Sequence, residues 1–106
     1  MDRACEFYQQ VLAIEVKKEK FDKFEFAVFE HAEGNGGCLV PNPADVSDKG
    51  LMLYLNVDGR IADAETKVTQ FGGTILQATH AIGPHGCRCI ILDSEGNRIV
   101  LHSTTA

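Results

Sequence analysis

Two Glu-Gly-Asn turns, Glu33-Gly34-Asn35 and Glu95-Gly96-Asn97, stand 62 positions apart, and each is reached through the same order of helix, strand, strand, turn and strand. A repeated order of elements makes the chain two copies of one module, and this constrains the fold more than any single motif. In the first copy, Ala4, Phe7, Tyr8, Val11 and Leu12 recur at helical steps, one apolar stripe with Asp2 placed to cap it. Ile14 to Lys20 and Phe24 to Glu30 alternate as two strands joined near Asp22. Gly and Asn in Glu33-Gly34-Asn35-Gly36-Gly37 accept the positive φ of a hairpin turn, and Cys38 to Val40 is then a short strand ending at Pro41.

The second copy begins with a strand, Leu51 to Asp58, whose Leu53, Leu55 and Val57 are expected to pack on the helices. Ile61, Ala64, Val68 and Phe71 mark the next helix, stopped by Gly72-Gly73. Strands at Thr74 to Thr79 and Gly86 to Leu92 flank a loop from His80 to His85, and Arg98 to Ser103 closes the chain's last hairpin. The polar connector Pro41 to Gly50 separates the copies, giving one domain over 1–106 with module 1 at 1–43 and module 2 at 50–106. The first module has no strand ahead of its helix.

Fifteen acidic against ten basic residues give a net charge of −5, the wrong sign for a nucleic-acid or anionic-membrane ligand. No apolar window approaches a membrane span, and Asp2 and Arg3 at the N-terminus do not open a secretion signal, so the expected location is the cytoplasm. The four cysteines are then expected as reduced thiols, and the spacing of Cys87-Arg88-Cys89 is too tight for a zinc knuckle. No carboxylate pair, nucleotide-binding glycine loop or nucleophilic triad stands out along the chain. Glu25, Glu30, Asp63 and Glu65 read as solvent faces, and His31 as solvated.

Asp2 to Leu12 and Asp93-Ser94-Glu95-Gly96-Asn97-Arg98-Ile99-Val100-Leu101 resemble the first helix and the closing hairpin of the vicinal oxygen chelate superfamily, also called the glyoxalase, bleomycin-resistance and extradiol-dioxygenase superfamily. The resemblance implies an α+β fold of paired βαβββ modules forming a curved mixed sheet with a concave cup. It also implies that the first strand of module 1 is missing, as in a member with a shortened start. An unpaired sheet edge then calls for a partner chain or a rearrangement, and a homodimer is expected. Metallo-members hold a divalent ion with His and Glu side chains. By the resemblance one of those four positions falls in the missing strand and the others on Cys38, Met52 and Val100, which offer sulfur and hydrocarbon where hard ions need oxygen or imidazole. No metal and no other cofactor are therefore expected, a soft ion on Cys38 and Met52 aside.

Alternation fills in the rest of the cup: Met52, Tyr54 and Asn56 on one strand, and Arg98, Val100 and His102 on another, with Cys38 and Val40 from the first module. Cys38, Met52, Tyr54, Arg98, Val100 and His102 are the candidate ligand-binding residues, an apolar wall with a few polar groups suited to a small organic molecule carrying one anionic group. The expectation is sequestration of that molecule. One alternative is a metal-dependent lyase or dioxygenase using His102 with His80 or His85, and another is an interaction module whose cup its own partner closes.

Overall fold

The computed structural model describes residues 1–30 and 36–106; His31 and the Glu33-Gly34-Asn35 turn lie outside the described residues. Helix α1 spans Asp2–Leu12 and buries Ala4, Cys5, Phe7, Tyr8 and Val11, the stripe that its periodicity announces. Its N-cap is Met1 rather than Asp2, and no side chain caps it. Asp2 is instead the first helical residue, where a carboxylate favours the helix dipole, and it pairs with Lys18. The helix ends at Ala13 in the left-handed region, φ 54°.

Strands β1 (Val16–Phe21) and β2 (Phe24–Phe29) form a hairpin across Asp22, also left-handed at φ 57°, a conformation that Asp tolerates better than most residues. The short strand β3 (Cys38–Leu39) pairs with β2 and completes a three-stranded antiparallel sheet. The second module contains β4 (Tyr54–Asn56), helix α2 (Ile61–Gln70), β5 (Thr74–Ala81), β6 (Cys87–Leu92) and β7 (Arg98–Ser103). Its sheet runs β4-β7-β6-β5, with β4 parallel to β7 and the other pairs antiparallel. The fold is α+β, with one complete βαβββ unit and a first unit that starts at its helix. No described strand bridges β3 and β4, so the seven strands among the described residues fall into two sheets rather than one.

The core lies on the helix side. Phe7, Val11, Ile61, Val68, Cys89, Ile91 and Leu101 are fully buried where α1 packs on α2, and α2 on the four-stranded sheet. At the end of α2, Gly72 takes φ 95°, the stop expected there. Gly73 is required for a different reason: a Cβ on it would sit 2.7 Å from the Leu92 carbonyl oxygen and from the Phe7 ring. Among the described residues no helix is long and apolar enough to cross a membrane.

Four local expectations change. The strand expected over Leu51 to Asp58 shortens to three residues, and Leu53, expected in the core, lies ahead of it and is 61% exposed. His80 belongs to β5, where its pairing with Arg88 extends the hairpin beyond Thr79. Glu65 is half-buried rather than free in solvent: it turns to β5 and accepts from the Thr79 backbone N–H at 2.8 Å and from the Thr79 hydroxyl. These bonds hold its carboxyl below the ordinary glutamate range.

Candidate functional site

The strand register builds the site on the face away from the helices. Cys89, Ile91, Ile99 and Leu101 point into the core, so their neighbours point the other way. His80 lies opposite Arg88, Arg88 opposite His102, and His102 opposite Asn56, one row across all four strands. The next row places Ile90 opposite Val100 and Val100 opposite Tyr54. Imidazole, guanidinium and phenol thus share one polar floor.

Arg88 is its centre. Its Nε donates to His80 Nε2 at 3.0 Å, and its Nη1 donates to the Tyr54 hydroxyl at 2.7 Å. Because His80 Nε2 accepts, His80 Nδ1 carries the proton and donates to the Ala78 carbonyl at 2.8 Å. His102 Nε2 donates to the His85 carbonyl at 2.7 Å, and the His102 ring stands 6.2 Å from that of Tyr54. Tyr54 receives a bond from Arg88, which leaves its own O–H to donate. Among the described residues no hydrogen bond occupies Arg88 Nη2.

The structure brings Tyr54, Val100 and His102 together on this face, and places the other candidates differently. Val100 is fully buried there. Arg98 donates to the Gly50 carbonyl at 2.8 Å and its Nε is buried without a partner, so its guanidinium holds the connector. Met52 is half-buried, ahead of β4. Cys38 is exposed in the other sheet, opposite Val28. The residue that sequence reasoning missed is Arg88. Alternation along Cys87 to Leu92 carries the signal, since core positions for Cys89 and Ile91 place Arg88 and Ile90 on the face away from the helices.

Two arrangements are not assembled. Among the described residues, no three His, Cys, Asp or Glu side chains converge as a metal ion requires. Both nitrogens of His80 are engaged, which removes it from a set with His102. Cys89 is an inert thiol, its pKa pushed up to about 12 by burial and then by the neighbouring Glu65.

A cavity of about 600 Å³ lies elsewhere, walled by Met1, Ala4, Tyr8, Leu39, Val40 and Val46 among others. Its size falls within the roughly 300–1,000 Å³ of small-molecule sites. Several of its polar groups bond to one another. Asp93 accepts from the Tyr8 hydroxyl and from the backbone N–H groups of Glu95 and Asn97, Glu95 is ion-paired with Arg3, and Asn42 bonds Asp45.

A sequence profile of the Glyoxalase/Bleomycin resistance protein/Dioxygenase superfamily matches residues 1–101. No curated protein matches the chain. Among solved structures, a glyoxalase/bleomycin resistance protein/dioxygenase family enzyme from Burkholderia phytofirmans PsJN is similar with a TM-score of 0.72 at 16% identity, over 97% of this chain and 89% of that one. The fosfomycin resistance protein FosX from Listeria monocytogenes has a TM-score of 0.72 at 12% identity, over 97% and 83%. Glyoxalase I from Zea mays has a TM-score of 0.72 at 19% identity over 97% of this chain, which spans 42% of the maize protein. At these identities the likeness shows the fold alone.

Proposed function

From the premise that this chain belongs to the Glyoxalase/Bleomycin resistance protein/Dioxygenase superfamily, we propose that it binds a small organic anion on the face of its four-stranded sheet away from the helices, without a resident divalent ion. The observation that carries the reading is Arg88, held from two sides by His80 and Tyr54 with Nη2 unoccupied. A guanidinium fixed in this way meets an anionic oxygen at little entropic cost, and charge-assisted bonds are the stronger class. The ligand's anionic group accepts from Arg88 Nη2 and from the Tyr54 O–H, while its body lies along Ile90 and the Tyr54 ring. His80 is a positioning residue, acting through Arg88.

The metal that metallo-members hold does not suit this donor set. Cys38, Met52 and Val100, the positions that the resemblance assigns to its ligands, supply a thiol, a thioether and a buried isopropyl group. Recognition therefore rests on charge and hydrogen bonds, and the function is sequestration: the molecule is held and released unchanged. Four free thiols, two of them buried, support a reducing compartment.

Thermal-shift and calorimetric titration with a panel of aliphatic and aromatic carboxylates and phosphonates, each beside its neutral amide or ester, tests this reading. At least one anion is expected to bind saturably. Arg88→Gln is expected to weaken it by about ten- to a hundredfold, the range for a lost hydrogen bond to a charged group. Equal binding of the neutral analogues, an unaffected Arg88→Gln variant, or no binding across the panel would overturn it.

A further inference from the structure

Strand β5 is longer than the strand it pairs with. Between the pairs Ile75 with Ile91 and His80 with Arg88, β5 takes five steps where β6 takes three, so surplus residues bulge and some of their backbone groups leave the ladder. β5 is also an outer strand of its sheet, with no second neighbour to receive them. A side chain from α2 answers instead. Glu65 stands four residues after Ile61 and three before Val68, on the margin of the stripe that α2 buries, where a carboxylate has to be hydrogen-bonded. It accepts from the Thr79 N–H at 2.8 Å and from the Thr79 hydroxyl, bonds that keep its carboxyl ionised. The N–H of Thr79 and the C=O of Ala78 belong to one peptide group, and that carbonyl accepts from His80 Nδ1 at 2.8 Å. One peptide thus lies between a carboxylate from the helix side and the imidazole that meets Arg88 on the other.

We propose that Glu65 is a positioning residue of the anion site, acting across the sheet through the Ala78–Thr79 peptide to keep the His80 proton on Nδ1. A peptide whose N–H donates to a carboxylate is polarised, and its carbonyl becomes a stronger acceptor. The stronger acceptor favours a proton on the nitrogen that faces it, Nδ1, and leaves the Nε2 lone pair for Arg88 Nε, 3.0 Å away. With the Tyr54 hydroxyl taking Nη1, the guanidinium plane is then set from two sides. The other tautomer would aim one N–H at another, and Arg88 would lose the imidazole as a partner. The inference rests on the reading of Arg88 as the group that holds the anion, although the tautomer is set with no ligand bound.

Nitrogen-15 NMR of the full chain at about pH 8, above the ordinary imidazole range, reads the His80 and His102 rings without ligand. In the unaltered chain His80 is expected to carry its proton on Nδ1 and His102 on Nε2, the nitrogen that donates to the His85 carbonyl. Glu65→Ala is expected to turn His80 into a mixture of tautomers and to leave His102 unchanged. The same variant is expected to weaken binding of the carboxylate and phosphonate panel about three- to tenfold, the range for one neutral hydrogen bond. Glu65→Gln, whose amide oxygen still accepts from Thr79, is expected to recover the Nδ1 proton and part of the affinity. A helix residue that merely steadied β5 would change the melting temperature and leave the tautomer alone. A proton on His80 Nε2 in the unaltered chain overturns the proposal, a measurement that stands even where Glu65→Ala does not fold. An unchanged tautomer or unweakened binding in folded Glu65→Ala, or a His102 ring that changes along with His80, overturns it equally. A tautomer that follows Glu65 in a chain that binds no anion supports the action of Glu65 on His80 and overturns the proposed function alone.

Discussion

Arg88 and Arg98 lie on the same face of the same sheet, and what separates them is what lies within reach of each guanidinium. Arg98 meets the Gly50 carbonyl and is tied to the connector, whereas Arg88 meets an imidazole and a phenol on neighbouring strands. Side-chain periodicity assigns both to the cup face and does not distinguish their roles. A different residue-scale balance links the two modules at the surface. Glu95 is bound by Arg3 at 2.8 Å and by the Ser94 hydroxyl, and the Arg3 hydrogen bond above all holds its carboxyl down to about 2. Because the folded value lies below the ordinary 4.5, this contribution to stability is present above pH 4.5 and is lost as the pH falls toward 2. Urea unfolding of the parent and of Glu95→Gln should therefore show the parent more stable at pH 6, with the difference vanishing near pH 2.

At the scale of elements, the helices are the most legible part of the sequence. The stripe on α1 and the glycine stop of α2 stand where periodicity and backbone freedom put them. Strands are less so, because their ends depend on which neighbour is present. β4 shortens to Tyr54–Asn56 since only β7 pairs with it, and β5 runs on through His80 because Arg88 on β6 pairs with that residue. The junction of α2 and β5 is set by Gly73, whose backbone lies against Leu92, Phe7 and Val68. A methyl there has to displace a carbonyl as well as two side chains, so Gly73→Ala should cost about 1–3 kcal/mol, the range for overpacking, as read by chemical denaturation. Arg88, His80 and Tyr54 are not among the residues against Gly73, and anion binding by the folded fraction should be unchanged.

Across the whole molecule, the two modules are joined at a buried point. The Tyr8 hydroxyl of α1 donates to Asp93 in the last hairpin, and Arg3 to Glu95 runs beside it. Burial and the adjacent Asp93 carboxylate raise the Tyr8 pKa, which keeps the phenol a proton donor. Tyr8→Phe removes this bond to a charged acceptor and should cost about 1.5–3 kcal/mol in calorimetry while leaving a single unfolding transition, because the shared core between α1 and α2 remains. Two separate transitions in that variant would show that the modules do not fold as one body. Periodicity, turn chemistry and the repeat by themselves determine the α+β class, the two helices, most strands and the face on which Tyr54, Val100 and His102 fall, because each depends on residues close together in the chain. Only the tertiary structure decides that Arg88 is held by His80 and Tyr54 while Arg98 is tied to the Gly50 carbonyl, that Cys38 stands in another sheet, and that Leu53 is left exposed. Those outcomes depend on which distant backbone or side-chain group arrives beside each residue, and no local pattern encodes that.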